Sequence, residues 1–137
     1  MAAKIDIKDR KAKRLNDAFC ERCRLMVKRT LKMFDQTKIG RTEQVLGYGF
    51  ADLKAHMESH ENWDRAKKTE WHIDHIFPLK AFVEYGILDF ALANCLENLQ
   101  PMVGRENISK SAKYDRKTFE VWLESKGINP ERRESAP

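Results

Sequence analysis

Asp74 and His75 are adjacent in the segment Trp71-His72-Ile73-Asp74-His75-Ile76-Phe77-Pro78-Leu79, which is followed by Asn98-Leu99-Gln100-Pro101 and Gly104-Arg105-Glu106-Asn107-Ile108-Ser109-Lys110-Ser111. A carboxylate is a hard metal ligand, an imidazole titrates near neutral pH and can take a proton, and a helix-borne amide oxygen can complete a cation's protein shell. Hydrolysing a phosphodiester requires an activated water, charge stabilisation around phosphorus and help for the departing oxygen. One divalent cation and one base supply all three. The set therefore reads as a one-metal phosphodiesterase site, with His75 as general base and Asp74 and Asn107 as metal ligands. All-oxygen ligation favours one Mg²⁺ or Mn²⁺ ion, with water in the remaining positions.

These residues must be positioned by the elements around them. Residues 70–79 roughly alternate between apolar and polar up to Pro78, which predicts an extended segment, and 99–103 predicts a second one ending at Gly104. A polar helix is expected over about 105–114. Neighbouring strand residues face opposite ways, so Asp74 and His75 can serve one centre only if the strand ends or bulges there. Upstream, Leu15, Ala18, Phe19, Met26, Val27, Leu31 and Phe34 recur at helical spacing and predict one long amphipathic helix over about 9–34. Thr42 is placed to cap a short helix through Leu46, and residues 50–58 predict a third helix. Residues 59–68 read as a loop anchored by Trp63. Residues 82–96 read as mostly helical with a break at Gly86, a last helix is expected over 117–125, and 129–137 is expected to be disordered.

The placed residues Asp74-His75, Asn98-Leu99-Gln100-Pro101 and Asn107 with Lys110 resemble the motif of the HNH endonucleases, whose fold is the ββα-metal, or His-Me, finger. Nine positions separate Asn98 from Asn107, the interval usual in that family, and two extended segments precede the helix in the required order. The resemblance implies an α+β fold, mostly α, with a helical N-terminal region and a C-terminal helix. It implies that His75 is the base, Asp74 and Asn107 hold metal, and Asn98 orients the catalytic loop. It further implies hydrolysis that leaves 5′-phosphate and 3′-hydroxyl ends. The match is strong over about 70–114. A weaker match, at Leu46-Gly47-Tyr48 and Leu53-Lys54-Ala55-His56-Met57-Glu58, is to the helical lead-in of small phage-encoded HNH proteins. Two departures stand out. Ser111 occupies the place where some members carry another His, which implies more water on the cation. The last motif residue is Asn, an HNN form similar to the nicking domains of RNA-guided nucleases and several homing enzymes.

His72, two residues before Asp74, is a secondary candidate for the scissile phosphate or the metal. His56 and His60 read as solvated. Arg105, Lys110 and Lys113 on or beside the last motif helix are candidate phosphate contacts. Trp71, Ile73, Ile76, Phe77 and Leu79 read as core.

A chain of 137 residues suits one domain: a helical DNA-gripping region (1–66), a ββα-metal core (67–115), a C-terminal helix (116–128) and a tail (129–137). The net charge of +5 is unevenly spread, with 13 Lys/Arg against 5 Asp/Glu in residues 1–41 and 5 against 10 in 42–103. A basic block beside an acidic middle suits a polyanion-gripping arm next to a cation site, because neutralising phosphates gives sequence-independent affinity. No apolar run approaches the ~20 residues of a membrane span, and no signal peptide is evident, so a cytoplasmic setting in a prokaryote or phage-infected host is expected. Cys20, Cys23 and Cys95 are an odd number without secretory context, and Cys20-Glu21-Arg22-Cys23 has no second close Cys/His pair, which argues against both a disulfide framework and structural zinc. The expected partner is DNA, with phage packaging proteins as candidates and no membrane. The chain would act as a monomer or homodimer. A non-catalytic DNA-binding or packaging accessory protein that keeps the finger as a scaffold is the rival expectation.

Overall fold

The computed structural model describes residues 7–38, 40–106 and 112–130, with side chains from residue 10 onward. It is an α+β chain, mostly helical, with one two-stranded antiparallel sheet. In chain order the elements are α1 (Ile7–Met33), α2 (Thr42–Leu46), α3 (Phe50–Ser59), α4 (Trp63–Ala66), β1 (Trp71–His75), α5 (Leu79–Glu84), α6 (Phe90–Ala93), a 3₁₀ turn (Leu96–Asn98), β2 (Leu99–Val103) and α7 (Arg116–Ser125). The chain turns helical again at 104–106, directly after β2. No helix among the described residues is long and apolar enough to cross a membrane.

Helix α1 spans the expected range, but its core face starts later than the apolar spacing predicts. Residues 10–18 are all exposed, Leu15 at 64%, and burial begins at Phe19 and continues through Cys23, Met26, Val27 and Thr30. The first turns of α1 therefore extend beyond the body as a basic helical arm.

Two apolar clusters hold the body together. In the first, Phe19, Cys23, Met26 and Val27 of α1 pack with Leu46, Leu53, Met57, Trp71, Ile73 and Leu99. The second joins Phe34, Leu79, Ala81, Phe82, Tyr85, Ala93, Phe119 and Leu123. Ile73 belongs to one cluster and Leu79 to the other, so the segment carrying Asp74 and His75 is pinned at both ends. Arg22 of α1 adds a further tie: its Nε donates to the Trp71 carbonyl at 2.9 Å and its guanidinium lies 4.5 Å from the Trp71 ring centroid.

Several local expectations are corrected. Thr42 is the first residue of α2 and is buried, accepting from Lys38 Nζ at 3.0 Å. The cap bond is made instead by Gln44, whose Oε1 accepts from the Arg41 N–H at 2.9 Å. Residues 63–66 form α4 where a loop was expected, because Trp63 stands edge-on to Trp71 at 5.1 Å and seats that turn on the core. The helical stretch expected over 82–96 is two short helices, α5 beginning at Leu79 and α6 at Phe90. The helix expected to reach residue 114 has ended by residue 112, which lies in a turn. The tail from 131 lies outside the described residues.

Cys23 is a core residue, 0% exposed, and burial pushes its thiol up to about 12. At pH 8 it stays protonated, and a protonated thiol is a poor nucleophile. Iodoacetamide at pH 8 is therefore expected to leave Cys23 unmodified in the folded protein and to label it after denaturation, as read by peptide mass spectrometry. Labelling of Cys23 in the native state as fast as in the denatured chain would contradict this packing.

Candidate functional site

Strands β1 and β2 pair with Trp71 opposite Val103, His72 opposite Met102, Ile73 opposite Pro101, Asp74 opposite Gln100 and His75 opposite Leu99. His75 is the last residue of its strand, and both Asp74 and His75 line one cleft. That cleft, of about 180 Å³, is lined by Asp74, His75, Arg29, Met33, Lys80 and Ala112, among others. Asp74 and His75 are each only 7% exposed.

Each of these two side chains is held by a neighbour. Gln100, directly across the ladder, donates from Nε2 to Asp74 Oδ2 at 2.8 Å. A carboxylate offers about four lone-pair sites, so this bond leaves acceptor capacity toward a cation. His75 Nε2 lies 2.6 Å from Asn94 Oδ1. Asn94 is anchored in turn by Thr30. The Thr30 hydroxyl donates to the Met26 carbonyl at 2.9 Å, and its Oγ1 lies 3.1 Å from Asn94 Nδ2 and 3.2 Å from Asn94 Oδ1. With Asn94 Oδ1 as its neighbour, His75 Nε2 is the donor of their bond. Thr30 is 0% and Asn94 1% exposed, so the relay is shielded from water.

Asn98 does not act on the cleft directly. Its Oδ1 accepts from the Phe77 N–H at 2.8 Å, and its Nδ2 donates to the Phe77 and Ala93 carbonyls at 3.1 and 2.8 Å. Its own carbonyl accepts from the Ile76 N–H at 2.8 Å. One buried amide therefore fixes the turn that follows His75, which makes Asn98 a positioning residue.

The other sequence candidates fall in different places. His72 is half-buried and packs against Gly104 at the start of the 104–106 helical turn, away from the walls of the Asp74/His75 cleft. A Cβ on Gly104 would lie 3.0 Å from the Glu70 carbonyl oxygen and 3.1 Å from the His72 ring, so a larger residue here would push on both. Arg105 and Lys113 are exposed, and Lys113 lines a neighbouring groove. Asn107 and Lys110 lie outside the described residues. His56 differs from its solvated reading: half-buried, its Nε2 lies 2.8 Å from the Leu99 carbonyl and ties α3 to β2. His60 is half-buried too, its Nδ1 accepting from the Asn62 N–H at 3.0 Å.

Four participants escaped the sequence reading: Asn94, Thr30, Gln100 as a carboxylate partner, and Arg29. A signal for the first two existed, since Asn94 interrupts an otherwise apolar run from Phe90 to Leu96 and Thr30 sits among Met26, Val27, Leu31 and Phe34. A polar side chain on a core face requires a partner. Among the described residues no cluster of three or more His, Cys, Asp or Glu could hold a metal ion, and Asp74 is the one carboxylate among the described residues that line the cleft. One hard oxygen beside an imidazole would fit a mostly hydrated hard cation. Comparison with protein-family models, curated proteins and solved structures returned no match.

Proposed function

We propose that the protein is a metal-dependent DNA endonuclease built on a ββα-metal finger, in which β1, β2 and the helix begun at residue 104 are the finger. The observation that carries this reading is the pairing of Asp74 and His75 in one cleft, with the His75 tautomer set by Asn94 so that Nδ1 takes the proton. Asp74 and, by the motif, Asn107 hold the cation. Bound there, a divalent ion supplies charge neutralisation at phosphorus and at the leaving 3′ oxygen. His75 Nδ1 accepts the proton of the attacking water, Asn94 disperses the resulting imidazolium charge through Nε2–H, and Gln100 keeps the Asp74 carboxylate aimed into the cleft. Arg29, exposed on the cleft wall, is placed to meet a phosphate.

Chelation separates this reading from a non-catalytic DNA-binding protein. With EDTA a labelled duplex is expected to be bound and left whole, and with Mg²⁺ or Mn²⁺ to be cut. Binding without cutting in every metal would favour the accessory role. The relay gives a further expected outcome. Asn94→Leu should slow cleavage by about ten- to a hundredfold, because a small misplacement of the base is costly, whereas Asn94→Asp keeps an acceptor toward Nε2 and should recover most of that loss. Equal rates for the two variants at equal folding, read by single-turnover kinetics, would contradict the tautomer role.

A further inference from the structure

A second groove, of about 330 Å³, is lined by Lys80, Glu84, Ala112, Lys113, Tyr114 and Arg116. Lys80 and Ala112 also line the Asp74/His75 cleft, so the two depressions adjoin. Lys80, Lys113 and Arg116 are exposed cations contributed by α5, the turn after residue 112 and the start of α7. The groove's one carboxylate, Glu84, already accepts from the Tyr114 hydroxyl and lies 3.6 Å from Lys80 Nζ. Lys80 is the exposed partner, at 59% against 26% for Glu84, and a pair open to solvent on that side is weak, so Lys80 can turn to a phosphate at small cost.

We propose that the groove formed by Lys80, Lys113 and Arg116 carries the DNA backbone on one side of the scissile phosphate. The proposal rests on the nuclease reading for where the scissile phosphate sits, and it extends the interface to Lys80 and Arg116. The occupant is a phosphodiester strand because the groove is lined by three cations and shares the wall at Lys80 and Ala112 with the cleft that holds the candidate base. These contacts set register along the strand and carry no sequence information.

The test is the salt dependence of binding to a fluorescent duplex, measured by anisotropy in EDTA. Each phosphate contact contributes about 0.9 to the slope of log Kobs against log salt. Lys80→Ala/Lys113→Ala, which removes neither a buried partner nor a candidate catalytic group, should lower the slope by about 1.8 relative to wild type. Lys54→Ala/Lys67→Ala removes the same charge from positions outside both depressions and should leave the slope unchanged. Arg116→Ala should lower it by about 0.9. An unchanged slope for the first double variant, or equal falls for both doubles, overturns the groove. Plasmid cutting in Mn²⁺ is read in parallel. Cutting with an unchanged slope removes the groove and leaves the nuclease reading intact, whereas a lowered slope without wild-type cutting keeps the groove and removes the nuclease.

Discussion

His75→Ala is expected to lower the single-turnover rate of DNA cleavage about a thousandfold while leaving DNA affinity in EDTA within about twofold of wild type. A positioned general base is worth about 10²–10⁴ in rate, and His75 is the imidazole that faces the cleft shared with Asp74. The separation of rate from affinity follows from a division of roles, because backbone affinity is supplied by the Lys and Arg side chains and not by the base. The fold should survive, because His75 ends its strand at the cleft edge and belongs to neither apolar cluster. Thermal unfolding by circular dichroism checks this. A folded variant that cuts at the wild-type rate would remove His75 from the chemistry.

The second large effect is on stability. Asn98→Ala strips partners from the Phe77 N–H and from the Phe77 and Ala93 carbonyls at a side chain that is 1% exposed. Leaving a buried polar group unsatisfied costs about 1–3 kcal/mol, and with several affected we expect a loss of about 3 kcal/mol, a fall of roughly 10 °C in Tm. Asn98→Asp should be comparably damaging, since it keeps the acceptor for the Phe77 N–H but faces two carbonyls with an oxygen where the amide had donors. The turn after His75 loosens in both variants, so cleavage should fall with stability. A loss below about 1 kcal/mol for Asn98→Ala, by denaturant titration, would contradict the clamp.

What the sequence made legible was local. The two strands, their order and the end of the first beside Asp74 and His75 follow from alternation and Pro78, and all lie within about thirty residues of one another. What it hid is long-range. Thr30 and Asn94 are 64 positions apart, and no periodicity in either segment names the other as partner. α4 was hidden because it is a single turn with only Trp63 and Ala66 apolar, and it is the tertiary contact of the Trp63 ring with Trp71 that seats the turn. Leu15 misled in the opposite sense: it has the right spacing for the core face, but among the described residues nothing covers it and it stays 64% exposed. His56 shows the same limit, since its partner is a main-chain carbonyl of β2, which carries no side-chain signature.

Conversion of supercoiled plasmid is the most direct test of a metal-dependent hydrolytic centre at Asp74 and His75. The expected result is nicked product that accumulates with Mg²⁺ or Mn²⁺, is absent with EDTA, and is resealed by a DNA ligase, which requires 5′-phosphate and 3′-hydroxyl ends. Plasmid that stays intact in every metal, or nicks that persist undiminished in EDTA, would contradict it.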